Sequence, residues 1–251
     1  MNLDLEDKVV LVTGGSKGIG QGIAHAFLEE GAKVGIVGRN LADLEAAQKE
    51  GIEIFQGDVT IAEDRERVMD EFVTKFGTIN VLVNNAGGSN GSSVMETSIE
   101  QFEEAMYLNF LSAVDLSKRA AAIMSGKSDG GAIINISSIF GRESGGKPTY
   151  NASKAAMISF TKSFGDEIIK KGIRVNGVAP GSILHETGNW KKRLEQDPDK
   201  INSFVEEHIS AGRFGTVEEV ANVVVFLASK KASWVVGSTL NVDGGQSYSN
   251  F

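Results

Sequence analysis

The chain has 251 residues, of which 41% are hydrophobic and 23% are charged, as in an ordinary globular protein. It contains no cysteine, which excludes disulfides, thiolate metal sites and a cysteine nucleophile. Its net charge of −8 and the lack of a basic patch argue against nucleic-acid binding. The acidic start lacks the positive charge of a secretory signal, and no apolar run approaches the roughly 18 residues of a membrane span. We therefore expect a cytoplasmic protein with no membrane partner.

Short apolar runs alternate with longer segments of helical periodicity along the chain. The predicted strands are residues 9–12, 33–37, 52–56, 81–83, 132–136, 174–179 and 238–242. The predicted helices are residues 18–30, 40–49, 62–76, 99–125, 150–171 and 217–228. Three helices begin with a capping-box pattern, in which serine or threonine precedes glutamate or glutamine by three positions. The pairs are Thr60 with Glu63, Ser98 with Gln101, and Thr216 with Glu219.

The predicted strands are rich in valine and isoleucine and do not alternate with polar residues. Such strands are covered on both faces, as in a parallel sheet between two layers of helices. Seven of them with intervening helices predict a doubly wound, Rossmann-type α/β fold in a single domain over residues 1–251. The polar stretch at residues 182–211 predicts two short helices. We interpret it as a substrate lid, because insertions at strand carboxyl ends cover the ligand crevice; a solvated connector is the alternative.

A glycine-rich turn joins the first predicted strand to the first helix, with the sequence Thr13-Gly14-Gly15-Ser16-Lys17-Gly18-Ile19-Gly20. Backbone N–H groups in such a turn can approach a phosphate at the positive end of the helix dipole. We expect Gly14 to permit the tight turn, Gly18 to admit a pyrophosphate and Gly20 to let the helix pack on the strand. The spacing differs from the general dinucleotide fingerprint and from a Walker A loop, so alone it leaves a structural turn open.

Tyr150 and Lys154 are four residues apart and share one face of a predicted helix. A nearby lysine cation lowers the pKa of a phenol from its usual value near ~10, which makes tyrosine a usable acid or base. Upstream, Ser137 and Ser138 end a predicted strand, where a hydroxyl can bond a substrate oxygen. Alone, the spacing is also compatible with a surface lysine one turn from a packed tyrosine.

Four motifs in chain order resemble those of the short-chain dehydrogenase/reductase family, in its short single-domain branch. They are Thr13-Gly14-x-x-x-Gly18-x-Gly20, Asn84-Asn85-Ala86-Gly87, Tyr150-x-x-x-Lys154 and Pro180-Gly181. The resemblance covers nearly the whole chain and is closest to 3-oxoacyl reductases. It implies a nicotinamide-dependent oxidoreductase acting on a small-molecule carbonyl or alcohol, assembled as a homotetramer.

The resemblance also implies a role for each matching residue. Tyr150 is the expected general acid or base, Lys154 lowers its pKa and binds the nicotinamide ribose, and Ser138 polarises the substrate carbonyl. Asn109 is expected to hold a water molecule in a proton relay to Lys154. The implied cofactor-binding set is Gly14, Ser16, Lys17, Gly18, Ile19, Gly20, Arg39, Asp58, Val59, Asn85, Ala86, Gly87, Tyr150, Lys154, Pro180, Gly181 and Ile183.

Within that set, the resemblance assigns parts of the cofactor to particular residues. Asp58 is expected to meet the adenine, and Ile183 the nicotinamide carboxamide through its backbone. The adenosine side is expected to be lined by Asn85, Ala86 and Gly87.

Two departures from the family pattern leave assignments open. The interval from Ser138 to Tyr150 is one residue shorter than usual, so Ser137 is an alternative to Ser138. Four residues after Gly181 the family often has threonine, whereas this chain has His185, with Thr187 two residues later. Either of the two could supply the cofactor contact from that turn.

The residues after the second predicted strand indicate which nicotinamide is used. An acidic residue there would bind the ribose 2′-hydroxyl of NAD, but Gly38 occupies the position and Arg39 follows. Arg39 and Lys17 are two cations without a carboxylate in the motif, and arginine can bind a 2′-phosphate bidentately. We therefore expect NADP(H), acting in the direction of carbonyl reduction.

Two other functions are compatible with the scaffold. One is NAD(P)-dependent oxidation of a secondary alcohol of the sugar or steroid type. The other is a non-catalytic nucleotide sensor, which would be expected to lose Tyr150, Lys154 or Ser138. No metal is expected, because the three histidines lack zinc-site spacing.

Overall fold

The computed structural model describes residues 2–48, 51–127 and 129–250, and the structural statements below concern those residues. The predicted helix at residues 40–49 ends on Lys49, which lies outside the described residues. The two ends of the predicted domain, residues 1 and 251, lie outside them as well.

Seven parallel strands form one sheet in the described part of the chain. They are β1 (Val9–Thr13), β2 (Lys33–Gly38), β3 (Ile52–Gln56), β4 (Val81–Asn84), β5 (Gly131–Ile136), β6 (Ile173–Pro180) and β7 (Thr239–Val242). Their order is β3-β2-β1-β4-β5-β6-β7, so the chain winds outward from β1 to β3 and returns to place β4 beside β1. The predicted doubly wound fold is confirmed, and its topological switch point lies between β1 and β4.

Helices cover both faces of this sheet. They are α1 (Gly18–Glu29), α2 (Leu41–Ala47), α3 (Ala62–Phe76), α4 (Ile99–Met106), α5 (Ser112–Met124), α6 (Pro148–Ile168), α7 (Asn189–Gln196), α8 (Pro198–His208) and α9 (Val217–Ala228). One hydrophobic cluster packs α1 and α9 against one face, with Phe27 at its centre. A second packs α3, α5 and α6 against the other face, with Phe72 fully buried. This two-sided burial explains why the central strands show no polar alternation, whereas the edge strands β3 and β7 are only partly buried.

The single helix predicted over residues 99–125 is wrong in one respect. A π-helical turn, Tyr107–Leu111, separates α4 from α5, and within it the Ser112 N–H bonds to the Tyr107 carbonyl. The Asn109 side chain lies in this turn and donates to the Ala105 carbonyl at 2.9 Å. A side-chain amide that bonds the preceding turn competes with the regular helical ladder, and π-turns of this kind recur at functional sites.

One of the three predicted capping boxes is wrong. Ser98 and Thr216 cap α4 and α9 with reciprocal bonds, as predicted. Before α3, however, Thr60 donates its hydroxyl and its N–H to Asp58 Oδ1, at 2.8 and 2.9 Å. Asp58 forms a local turn that binds the Thr60 hydroxyl, so the N-cap position of α3 falls on Ile61, one residue after Thr60.

The stretch at residues 182–211, here called the lid segment, holds the two predicted short helices, α7 and α8. Trp190 of α7 stacks on Phe204 of α8 with ring centroids 4.8 Å apart, and Phe214 packs on the same indole. At its base, Ile183 forms a parallel bridge with Gly215. In the residues that the structure describes, no helix combines the length and apolar character needed to cross a membrane.

Candidate active site

The glycine-rich turn between β1 and α1 has the conformation that its glycines predict. Gly14 and Gly18 have φ angles of 64° and 53°, in the left-handed region that favours glycine. A Cβ on Gly20 would lie 2.2 Å from the Gly14 carbonyl oxygen and 2.4 Å from Asn85 Nδ2. The helix therefore packs against its own loop at a distance that only glycine permits. This cradle of backbone at a helix start suits the pyrophosphate of a dinucleotide.

Hydrogen bonds tie the glycine loop to the segment that follows β4. The buried Thr13 hydroxyl accepts from the N–H groups of Asn85 and Ala86, both at 3.0 Å. In return, Asn85 Nδ2 donates to the carbonyls of Thr13 and Gly14, at 3.0 and 3.1 Å. The Asn85 side chain thus holds the two loops together across the switch point.

Ser138 and Tyr150 meet at the carboxyl end of β5. Ser138 Oγ accepts from the Phe140 N–H at 3.2 Å, which leaves its own proton for another acceptor. Burial raises the pKa of Tyr150 above its usual value, and a hydrogen bond with the Ser138 hydroxyl offsets part of that rise. Burial is the larger of these two effects, so the pKa of Tyr150 is raised in the chain by itself. A phenol with a raised pKa stays protonated at neutral pH, which is the form that a proton donor must have before the transfer.

The alternative serine, Ser137, has a different environment. Its Oγ is buried and donates to the Lys154 carbonyl at 3.0 Å, so it fastens α6 to the end of β5. Ser138 is therefore the serine that shares its environment with Tyr150.

Lys154 is buried beneath the tyrosine. Only 3% of the residue is exposed, its Nζ donates to the Ile136 carbonyl at 2.7 Å, and Nζ lies 5.5 Å from the centroid of the Tyr150 ring. Burial without a carboxylate partner lowers the pKa of Lys154 to about 8. The lysine is thus a cation near neutral pH and titrates not far above it.

The pKa of Lys154 predicts a pH dependence of stability. The unfolded chain keeps this lysine protonated to a higher pH than the folded chain, whose Lys154 pKa is about 8. The cost of burying the charge is therefore full below about pH 8 and is relieved as the pH rises toward about 10. Relative to Lys154→Met, the wild type should gain roughly 2 kcal/mol of unfolding free energy between about pH 7 and 10. Urea unfolding of both proteins across that range checks this, and parallel curves would contradict it.

Asn109 lies on the other side of Lys154. Its Oδ1 accepts from the Gly88 N–H, and its Nδ2 donates to the carbonyls of Gly88 and Ala105, all at 2.9 Å. A Cβ on Gly87 would be 2.7 Å from Asn109 Oδ1 and 3.3 Å from Lys154 Nζ. The π-turn therefore positions the loop after β4 directly above the lysine. The proton relay predicted for Asn109 stays a prediction, and it requires a water molecule bound while the side chain keeps these three hydrogen bonds to the backbone.

The two predicted phosphate-binding cations are both paired, which corrects the expectation that they have no carboxylate. Lys17 Nζ lies 2.7 Å from Asp43 Oδ2, and Arg39 Nη1 lies 3.8 Å from Asp58 Oδ2. Asp43 is on α2 and Asp58 follows β3, so neither pairing is visible from neighbouring positions in the sequence. Arg39 remains 70% exposed at its side chain and accessible to a ligand.

The remaining predicted cofactor residues lie at the same edge of the sheet. The Gly181 N–H donates to the Val242 carbonyl at 3.1 Å, next to the pairing of Pro180 with Val242. Ile183 is buried against Gly215. Val59 is also buried, and Ser16 Oγ lies beside Gly38, where a Cβ would be 3.4 Å away. Ile19 packs against the core that underlies α1.

His185 brings the lid segment into contact with the glycine loop. A Cβ on Gly18 would lie 2.6 Å from its Cε1, and one on Gly188 would lie 2.8 Å from its Nε2. Its Nδ1 is 3.2 Å from the Thr187 hydroxyl, and partial burial lowers the pKa of the imidazole. Of the two open candidates, His185 is the one against the loop. Local sequence patterns do not predict this contact, because it joins segments that lie more than 160 positions apart in the chain.

Fold and site together define the class of protein, which is a Rossmann-type enzyme with a dinucleotide site. The carboxyl edge of one parallel sheet brings a dinucleotide-type glycine loop beside a serine, a tyrosine and a buried lysine. Among the residues with described positions, no cluster of histidine, aspartate and glutamate could hold a metal ion.

Comparisons with known proteins agree with this class. The profile of a family described as "Enoyl-(Acyl carrier protein) reductase" matches residues 14–247. The 3-oxoacyl-(acyl-carrier-protein) reductase FabG of Chlamydia muridarum is 38% identical, over 98% of this chain and 99% of that protein. The FabG of Escherichia coli is 36% identical, over 97% and 98% of the two chains.

A solved structure is similar over the same extent. The L-sorbose reductase of Gluconobacter frateurii, in complex with NADPH and L-sorbose, superposes with a TM-score of 0.93 at 34% identity. The superposition covers 99% of this chain and 100% of that one. This chain belongs to the short-chain dehydrogenase/reductase family, and it is an oxidoreductase.

Proposed function

We propose that this protein uses NADPH to reduce the carbonyl group of a ketone or 3-oxoacyl substrate to a secondary alcohol. The observation that carries the proposal is the buried Lys154 ammonium, which lies 5.5 Å from the Tyr150 ring centroid, with Ser138 acting on the pKa of the same phenol. The relatives named as 3-oxoacyl reductases and the NADPH-bound sorbose reductase support the same chemistry.

The cofactor is held, in this proposal, along the carboxyl edge from β3 to β6. The glycine loop (Gly14, Ser16, Gly18, Ile19 and Gly20) binds the pyrophosphate, while Lys17 and Arg39 bind the 2′-phosphate. Asp58 and Val59 meet the adenine. Asn85, Ala86 and Gly87 line the adenosine side, and Pro180, Gly181 and Ile183 the nicotinamide. When bound, the reduced nicotinamide supplies a hydride to the carbonyl carbon and is itself oxidised.

The side chains of this chain handle the proton. Ser138 donates a hydrogen bond to the substrate oxygen and polarises the carbonyl, and Tyr150 transfers its phenolic proton to the oxygen as negative charge develops there. The buried Lys154 cation stabilises the resulting phenolate. Asn109 positions the loop above Lys154. The raised pKa of Tyr150 keeps its phenol protonated before the transfer.

The lid segment completes the site in this proposal. His185 already lies against the glycine loop, and Trp190, Phe204 and Phe214 form an aromatic cluster behind it. We interpret this segment as the wall that selects the substrate and excludes water.

The first experiment measures oxidation of NADPH, and then of NADH, by absorbance with a panel of 3-oxoacyl thioesters, ketoses and diketones. Turnover with NADPH well above NADH is the expected result, and the preferred panel member defines the substrate class. Tight NADPH binding with no turnover on any panel member, and none with secondary alcohols and NADP⁺, would contradict a catalytic role.

Arg39→Asp is expected to shift cofactor preference toward NADH. The change replaces an exposed cation with a carboxylate that repels the 2′-phosphate and can accept hydrogen bonds from a 2′-hydroxyl. The ratio of kcat/KM for NADPH to that for NADH should fall by about tenfold or more, the equivalent of one lost charge-assisted bond. Arg39→Gln serves as the control that removes charge without adding repulsion, and it should give an intermediate ratio. An unchanged ratio in both variants would remove Arg39 from the 2′-phosphate site.

A homotetramer and a cytoplasmic location are also part of the proposal. Met95 and Trp234 are 94% and 97% exposed, and contact with another subunit would remove their apolar surface from water. The absence of cysteine from the chain fits a reducing compartment. Sedimentation equilibrium of the purified protein tests the first point, and cell fractionation tests the second.

A further inference from the structure

Asp43 occupies a position from which it competes for a proposed phosphate ligand. Its Oδ2 lies 2.7 Å from Lys17 Nζ, while its own N–H donates to the Asn40 side chain at 3.2 Å and fixes it in the first turn of α2. The Lys17 side chain is 49% exposed and that of Asp43 is 31% exposed, so the pair sits at the surface beside the cleft. The Asp43 carboxylate therefore neutralises the positive charge of Lys17, which a 2′-phosphate would need for binding.

The neighbourhood of this pair indicates where the phosphate would meet it. Ser16, the residue before Lys17, lies beside Gly38 at the end of β2, so the glycine loop and the start of α2 form one wall. Gly38 is where an acidic residue would select NAD. The carboxylate absent from that position is supplied from α2 instead, five residues later in the chain.

The second cation differs in this respect. Arg39 Nη1 is 3.8 Å from Asp58 Oδ2, beyond hydrogen-bond distance, and Asp58 Oδ1 is already bonded by Thr60. Asp58 therefore restrains Arg39 only weakly. The contact of Asp43 with Lys17 is the one that a phosphate dianion must displace or share.

We propose that Asp43 is a specificity-determining residue that weakens the preference of this site for 2′-phosphorylated nucleotides. It neutralises Lys17 and repels the phosphate, so the protein discriminates less between the two nicotinamide cofactors than its two cations alone would. This inference rests on the proposed function, and specifically on the placement of the 2′-phosphate at Lys17.

The physical alternative is that Asp43 orients Lys17 toward the phosphate. A lysine ammonium has three donors and can bond a carboxylate and a phosphate together. The two roles predict opposite results when the negative charge is removed. Competition predicts tighter binding of a 2′-phosphate, whereas orientation predicts weaker binding.

The test uses calorimetric titration of the full chain with adenosine 2′,5′-bisphosphate and with adenosine 5′-monophosphate, which differ only in the 2′-phosphate. Asp43→Asn should raise affinity for the bisphosphate by about three- to tenfold, from loss of a surface ion pair and of repulsion. Affinity for the monophosphate should stay unchanged. Titrations are made at one low ionic strength, because salt screens exposed charges.

Two further variants distinguish an effect of the contact between Asp43 and Lys17 from an effect of net charge alone. Glu45→Gln removes the same charge from an exposed position of α2 and should change neither affinity. In a Lys17→Met background the gain from Asp43→Asn should largely disappear, because the two residues act through one contact. Thermal melting verifies that each variant folds, and Asp43→Ala replaces Asp43→Asn if that one does not.

The outcomes distinguish the inference from the function on which it rests. If neither the wild type nor Asp43→Asn binds the bisphosphate more tightly than the monophosphate, the 2′-phosphate assignment fails and the inference falls with it. If the wild type discriminates but Asp43→Asn leaves bisphosphate affinity unchanged or weaker, only the inference is overturned. An equal gain from Glu45→Gln would also overturn it.

Discussion

Replacing Tyr150 with phenylalanine should lower turnover of a ketone with NADPH by about a thousandfold, the usual scale of a lost general acid. Phenylalanine keeps the ring that packs over Lys154 and loses only the hydroxyl that bonds Ser138. The affinity for NADPH should therefore remain at the wild-type value. Initial rates of NADPH oxidation and a fluorescence titration of NADPH measure the two quantities.

Tyr248→Phe is the matched control, because that tyrosine is 81% exposed. Its turnover should equal that of the wild type. Retention of more than a small fraction of activity in the Tyr150 variant would mean that another group, or water, delivers the proton. Loss of NADPH binding along with turnover would assign Tyr150 a role in holding the cofactor rather than in proton transfer.

Gly20→Ala should abolish NADPH binding at concentrations that saturate the wild type. The added methyl group would lie 2.2 Å from the Gly14 carbonyl and 2.4 Å from the Asn85 amide, and the first of these is backbone that cannot rotate away. Either α1 or the glycine loop must move, which also breaks the bonds from Asn85 to the loop. Overpacking of this kind costs about 1–3 kcal/mol of stability. Urea unfolding and NADPH titration measure the two effects.

Gly22→Ala on the same helix provides the comparison. Its methyl group would lie 3.0 Å from the Val217 side chain, with no backbone of the loop involved. Alanine in a helix interior also gains about 1 kcal/mol over glycine, which offsets the tight contact. This variant should fold and bind NADPH like the wild type. Normal NADPH affinity in Gly20→Ala would show that the loop is not the cofactor site.

Local sequence patterns predicted the layered fold and the position of each motif along it. The valine-rich strands and the segments between them required a parallel sheet covered on both faces, and the structure confirms it. Carboxyl ends of parallel strands share one edge of a sheet, and the glycine loop and Ser138 each follow such an end. The position of each motif after a strand is a local property, whereas the order of the strands in the sheet is a property of the tertiary structure.

Local sequence patterns do not predict contacts between segments that are far apart in the chain. The choice between Ser137 and Ser138 needed the direction of each hydroxyl, and the contact of His185 with Gly18 needed the path of the lid segment. The π-turn at Asn109 arises because its amide bonds the preceding turn and the loop after β4 together. A periodicity count averages over such a turn and cannot detect it.

The sequence by itself determined the fold class, the family and the residues on which the proposed chemistry depends, because glycine conformation, helix spacing and strand burial are encoded within short windows. Only the tertiary structure decided the electrostatics of the site. The pKa of Tyr150 is raised by burial, Lys154 is buried without a carboxylate, and Lys17 is paired with Asp43. Desolvation and ion pairing depend on which atoms surround a charge in space, and residues far apart along the chain supply those atoms.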